Sequence, residues 1–313
     1  MIEVRNLVKR YDDYLAVDDI SFDIEEGKIY GFLGPNGAGK STTLNMMTGC
    51  LSSTEGTIKI MGHDIYEEPK EAKKYIGYLP ELPPIYPDMT AREYLKFVAQ
   101  LKHIPKKEID GHVEEVMKKA RIDHVADRQM KQLSKGYRQR CGIAQAIVGY
   151  PKIIILDEPT VGLDPLQMVE IREWIKELAQ EHTIILSSHI LTEISAICDR
   201  VIIINKGKLY ADDTIENLDH MLSKTNRLSL TVVAREANVR SLLKDSPFGS
   251  SFEINPSEEK NAVDVSIDFE KEEDLRAEVF MYFAKAGYPI IKMNYDKKSL
   301  EEIFSSITQQ GEK

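Results

Sequence analysis

The clearest chemistry in the chain lies in Gly34-Pro35-Asn36-Gly37-Ala38-Gly39-Lys40-Ser41-Thr42. These residues fit Gly-x-x-x-x-Gly-Lys-Ser/Thr, a loop that wraps the phosphates of a nucleotide. The glycines remove Cβ atoms, so successive backbone N–H groups can turn toward phosphate oxygens. A helix-like run from Thr42 to Thr48, ending at Gly49, follows the loop and adds the partial positive charge of a helix N-terminus. Lys40 is placed to reach the β- and γ-phosphates and the Ser41 hydroxyl to ligate Mg²⁺, with Asn36, Ala38 and Thr42 completing the cradle.

A second group is Asp157-Glu158, which follows the apolar run Ile153-Ile154-Ile155-Leu156. At the C-terminal end of a parallel strand, such carboxylates face the crevice where open α/β sheets bind ligands. There Asp157 suits a water-mediated hold on Mg²⁺, and Glu158 suits orienting or deprotonating an attacking water. Standing alone, the pair would read equally as a helix cap before Pro159. A third piece is Leu133-Ser134-Lys135-Gly136-Tyr137. Ser134 has the character of an N-cap and Gly136 leaves the backbone open, so the helix that follows offers an anion-binding end. Taken alone, it reads as an ordinary capped helix in the insertion.

The elements that must position these residues are legible as strand-like runs at 2–8, 21–24, 28–33, 57–60, 153–156, 183–186, 201–205 and 208–211. The continuously apolar 153–156 is expected to be a parallel strand covered on both faces. Between 83 and 149 helices are predicted at 90–101, 107–120 and 136–148, a helical insertion within a parallel-sheet core. A polar stretch without strong periodicity, 212–226, separates this from a tail. The tail reads strand 228–234, helix 237–244, strands 251–254 and 262–267, helix 272–286, strand 290–294 and a last helix at 300–308. That βαββαβ order is the order of a ferredoxin-like unit.

Composition narrows the function. The 313 residues are 42% hydrophobic and 29% charged, as in a globular protein of two domains. With 41 basic and 51 acidic residues the net charge is −10, so a nucleic-acid partner has no electrostatic footprint. No run reaches the length of a membrane span and the N-terminus has no signal-peptide core, so a membrane role is expected to come through a partner. Cys50, Cys141 and Cys198 are scattered, which suits a reducing cytoplasm.

Taken in order, these motifs resemble those of the nucleotide-binding subunits of ATP-binding-cassette (ABC) transporters, over residues 1–220. The series is the phosphate loop, a Leu-Ser-Gly-Gly-Gln-like signature at Leu133-Ser134-Lys135-Gly136-Tyr137, the carboxylates at Asp157-Glu158, then Gly162-Leu163-Asp164 and His189. The resemblance implies a P-loop ATPase core with a parallel RecA-like sheet, an antiparallel β-subdomain and a helical subdomain at 83–149, followed by an accessory α+β domain at 221–313. It implies ATP and Mg²⁺ as cofactors, with Tyr11 stacking on adenine and Val17 beside it, although Tyr14 is close to the same place. It assigns Ser41, Glu81 and Asp157 to the metal, and Lys40, Glu158 and the switch histidine His189 to catalysis. Two subunits are expected to pair head to tail. Ser134 and Gly136 of one would then close over the nucleotide held by the other, and Asp164 would meet the partner's phosphate loop.

Two departures from the family's pattern stand out. Glu81 occupies a position where the family usually has Gln, and the signature carries Lys135 and Tyr137 where Gly and Gln are common. Ser134 and Gly136 remain, so both sites of a homodimer are expected to be complete. The stretch 77–95 and the ending Ser299-Leu300-Glu301-Glu302-Ile303-Phe304 are similar to subunits of multidrug, bacteriocin and gliding-motility exporters. That likeness implies a separately encoded integral membrane subunit and a place on the inner face of the cell membrane. Ile85 and Tyr86, between Pro83, Pro84 and Pro87, are the expected docking residues, with packing inside the insertion as the alternative. A soluble ABC ATPase acting on another macromolecule is the main rival, but neither a second phosphate loop nor long coiled-coil arms are present.

Overall fold

The structure, a computed structural model, describes residues 1–222, 226–244, 246–248, 251–269 and 274–297. The predicted helix at 300–308 and the Ser299–Phe304 ending lie outside them. The chain divides into two compact units, Met1–Ile215 and Glu216–Lys313, each with its own hydrophobic core.

The first unit opens with β1 (Ile2–Tyr11) and β2 (Tyr14–Ile24), antiparallel, with Tyr11 opposite Tyr14 at the turn. β3 (Ile29–Leu33) is buried along its whole length and runs into the phosphate loop and α1 (Lys40–Met47). Next come β4 (Glu55–Ile60), β5 (His63–Asp64), α2 (Pro69–Lys73) and β6 (Ile76–Leu79). The helical insertion is built from α3 (Ala91–Leu101), α4 (Ile109–Lys119) and α5 (Lys135–Ile147). α3 starts in a reciprocal capping box between Thr90 and Glu93. The chain returns through β7 (Ile153–Leu156), α6 (Pro165–Leu178), β8 (Thr183–Ser188), α7 (Leu191–Ser195), β9 (Arg200–Asn205) and β10 (Lys208–Thr214).

Two sheets result. One is antiparallel, in the order β2-β1-β4-β5, and the other runs β10-β9-β3-β8-β7-β6 with only β10 antiparallel to its neighbour. The neighbours β3, β8, β7 and β6 all end at the same edge. The residues that leave them are the phosphate loop, His189, Asp157-Glu158 and Glu81. This is how a parallel sheet collects distant residues at one crevice.

The short β5, α2 and α7 were not foreseen, nor were two longer or better-placed elements, β6 and α6. β6 contains Gly77, which weakens its reading as a strand. The reason for the glycine is packing: a Cβ there would lie 1.9 Å from the backbone oxygen of Ala146 in α5. Gly77→Ala is therefore expected to push α5 off the sheet and lower the melting temperature by roughly 3–10 °C. An unchanged transition in calorimetry would mean that α5 yields without cost. α6 is the second, although Asp164 caps it, Pro165 opens it, and Ile171, Trp174, Ile175 and Leu178 form its buried stripe.

α8 (Ile215–Leu222) starts at the last residue of the first unit and continues into the second, which goes on with β11 (Asn226–Val232), α9 (Glu236–Lys244), β12 (Ser251–Pro256), β13 (Val263–Phe269), α10 (Arg276–Lys285) and β14 (Ile290–Lys297). α8 corrects the expectation of an aperiodic stretch at 212–226, since Ile215, Leu218 and Leu222 recur at helical spacing. The sheet order β12-β13-β11-β14, antiparallel throughout, is that of a ferredoxin-like unit. β13 alternates cleanly, burying Val263, Val265, Ile267 and Phe269 in a core shared with Val239 and Phe283.

Candidate nucleotide site

The loop between β3 and α1 has the shape that its glycines predict. Gly37 and Gly39 have φ of 79° and 104°, in the left-handed region that favours glycine. A Cβ on Gly34 would lie 2.3 Å from the carbonyl oxygen of Ile204, and one on Gly39 2.6 Å from that of Ala16. Space and backbone conformation both demand glycine here. The loop borders a cavity of about 380 Å³ whose wall includes Tyr11, Tyr14, the residues from Asn36 to Thr42, Glu81, Glu158 and His189.

The sheet edge brings together three of the side chains expected at the site. Lys40 is buried, and its Nζ donates to the carbonyl oxygens of Gly34 (2.8 Å) and Pro35 (3.3 Å) while lying 3.6 Å from Glu158 Oε1. His189 Nδ1 lies 3.2 and 3.1 Å from the two carboxylate oxygens of Glu158. Glu158 is thus held between an ammonium and an imidazole, with its carboxylate at the cavity wall. Its φ of 48° is rare for a residue with a side chain and is held by a bond from its own N–H to Ser187 Oγ (2.8 Å).

Asp157 lies deeper and does not line the cavity. It accepts from Ser41 Oγ (3.2 Å) and from Ser187 Oγ (2.5 Å). One hydroxyl and one carboxylate suit Mg²⁺, which keeps its waters and phosphate oxygens and seldom takes an all-protein cage. Among the described residues no group of three or more His, Cys, Asp or Glu forms such a cage. Beneath the site the Tyr78 hydroxyl donates to Asn45 Oδ1 (3.1 Å). Burial first, and then the carboxylate of Asp157, push the Tyr78 phenol well above its ordinary range.

The remaining residues separate. Tyr11 and Tyr14 both reach the cavity and both are exposed. The Lys9 ammonium lies 5.1 Å over one face of the Tyr11 ring, and the Tyr14 hydroxyl donates to the Gly37 carbonyl at 3.4 Å. Val17 is fully buried behind Gly39, and Ala16 takes its place at the cavity wall. Ser134 and Gly136 line a different cavity of about 390 Å³ with Arg121, His124 and Tyr137. Ser134 caps α5 by accepting from the Tyr137 N–H, and Asp164 caps α6 by accepting from the Gln167 N–H. Lys135 reaches across to the 161–164 segment, where a Cβ on Gly162 would meet its ammonium at 1.9 Å. Ile85 is half-buried, whereas Tyr86 is half-exposed with its ring against Tyr94 and Phe97.

The sequence reading passed over Ser187, Ser188, Thr160 and Glu193, all buried around the carboxylates. The one signal for them was a pair of hydroxyls closing the apolar strand β8 immediately before His189.

A family model described as ABC transporter matches residues 17–161. The bacitracin transport ATP-binding protein BcrA of Bacillus licheniformis is 34% identical, across 99% of this chain and 98% of its own. The Nod factor export ATP-binding protein I of Burkholderia orbicola is 35% identical over 67% of this chain and 70% of its own. The dimeric structure of MJ0796, a bacterial ABC transporter cassette, superposes with a TM-score of 0.64 at 26% identity, covering 69% of this chain and 99% of that one. The same cassette is known in a post-hydrolysis state bound to ADP and Pi. With its phosphate loop, its paired carboxylates and His189 on one sheet edge, the chain belongs to the ATP-binding subunits of ABC transporters and is an ATPase.

Proposed function

We propose that this ATPase powers an exporter, acting as a head-to-tail homodimer on an integral membrane subunit encoded separately. The observation that carries the pairing is the division of the motifs. Lys40, Glu158 and His189 share one cavity, whereas Ser134 and Gly136 line another on the same chain. A second copy supplies what each cavity lacks, placing Ser134 and Gly136 over the nucleotide of its partner and Asp164 against the partner's phosphate loop. Export is supported by the relatives named for bacitracin transport and for Nod factor export.

Within each site the phosphate loop holds the triphosphate and Tyr11 stacks on the base. Ser41 and Asp157 would hold Mg²⁺, with Glu81 reaching it through water. When bound, Mg²⁺ neutralises charge between the β- and γ-phosphates. Glu158 orients the attacking water and accepts its proton, and His189 bonds the γ-phosphate. Lys40 turns from its loop carbonyls toward the phosphates. ATP binds the closed dimer better than the open one, so binding shifts the equilibrium toward closure and hydrolysis releases it.

No helix among the described residues is long and apolar enough to cross a membrane. We place the chain in the cytoplasm, on the inner face of the cell membrane, held there by its partner. The segment bearing Tyr86, with Leu82 exposed by 85%, is the surface offered to that partner. The unit 216–313 is accessory.

Mixing Ser134→Arg with Lys40→Ala subunits tests the pairing. Each heterodimer then carries one doubly damaged site and one intact site, so partial recovery of ATP-dependent dimerisation is the expected result. No recovery at any mixing ratio would rule out a site shared between subunits.

A further inference from the structure

The hydrogen-bonded ladder between β7 and β8 ends at Leu156 opposite Leu186. Past that point the two chains bear Asp157-Glu158 on one side and His189 on the other, and side chains take over from the ladder. Ser187 Oγ accepts from the Glu158 N–H and donates to Asp157. One step further out stands Glu193, on α7, buried to 7% exposure. Its Oε2 accepts from Thr160 Oγ1 and from Ser188 Oγ, both at 2.9 Å. Thr160 is the second residue after Glu158, and Ser188 immediately precedes His189. Ser188 Oγ in turn accepts from the Ile190 N–H at 3.0 Å, so both flanks of His189 are fixed.

We propose that Glu193 is a positioning residue for ATP hydrolysis: its carboxylate clasps the segment that follows Glu158 to the residue that precedes His189, and so sets the distance between those two side chains. The proposal rests on the roles given above to Glu158 and His189. It assigns Glu193 no contact with nucleotide, since it does not line the cavity. Beyond Thr160 the same segment continues through Gly162 to Asp164, so the clasp also ties the start of α6 to His189. A group that acts through geometry should affect turnover and leave affinity alone, because misplacement by about 1 Å can cost ~10²-fold in rate.

The test uses steady-state ATPase of the full chain and equilibrium binding of a fluorescent ATP analogue. Glu193→Leu is expected to lower kcat by about 10- to 100-fold, with KM and analogue affinity within about twofold of wild type. Glu193→Gln keeps an oxygen able to accept from both hydroxyls and is expected to retain most of the turnover. Thr160→Val removes one donor at nearly constant shape and should fall between them. In a His189→Ala background Glu193→Leu should add no further loss, because the two act as a unit.

Full turnover in Glu193→Leu, a KM effect without a kcat effect, or losses that multiply with His189→Ala would each overturn the proposal. If Glu193→Leu does not fold, Thr160→Val and Glu193→Gln decide the question, and wild-type kcat in Thr160→Val overturns it. Wild-type turnover in both His189→Ala and Glu158→Gln would overturn the reading of the site itself, and the clasp with it.

Discussion

Glu158→Gln should bind ATP, dimerise and then stall. The amide keeps the shape of the side chain and one oxygen facing His189 Nδ1, which lies 3.1 Å from Glu158 Oε2. It loses the basicity needed to take a proton from water, an effect typically worth about 10²- to 10⁴-fold in rate. The substitution also removes a negative charge next to where the γ-phosphate must sit, so affinity for ATP should hold or rise. Phosphate release would measure the first effect, and elution of an ATP-loaded dimer in size-exclusion chromatography the second. Turnover like that of wild type would take Glu158 out of the mechanism.

Lys40→Ala should fail one step earlier, at binding. The ammonium makes charge-assisted hydrogen bonds, each worth about 1.5–3 kcal/mol, so ATP affinity should fall by about one to two orders of magnitude. Before nucleotide arrives the same ammonium bonds Gly34 and Pro35 and lies beside buried Glu158, so its removal also leaves a carboxylate without its cation. The melting temperature of the empty protein should therefore drop as well, and ATP should restore less of it than in wild type. Calorimetry with and without ATP separates the two effects. Tight binding by Lys40→Ala would contradict the phosphate assignment.

What could be read from the sequence was what is decided locally. The phosphate loop needs glycines at fixed positions because its backbone turns and its neighbours approach closely, and both demands are written in consecutive residues. Ser134 announced its cap, and β7 announced its burial by an unbroken apolar run. β6 was hidden because Gly77 answers to α5, a partner far along the chain. The burial of Val17 depends on the loop folding over β2, which no local pattern records. The contacts of Glu193 with Thr160 and Ser188 exist only once β7 and β8 lie side by side. In the second unit strand alternation gave away the elements, and only short crossing helices and hairpins could join them in the order observed.

Within its sheet β6 has one strand neighbour, β7, through four residue pairs, while the carbonyls of Tyr78 and Ile76 accept instead from the side chains of Gln145 and Lys102. It carries Glu81 just past its end and leads directly into the helical insertion. β7, which carries Asp157 and Glu158, is pinned by β6 on one flank and β8 on the other. The insertion thus closes this margin of the sheet itself, α5 through Gln145 and the end of α3 through Lys102. A displacement of those helices would reach Glu81 through β6 before it reached the carboxylates on β7, which β8 also holds.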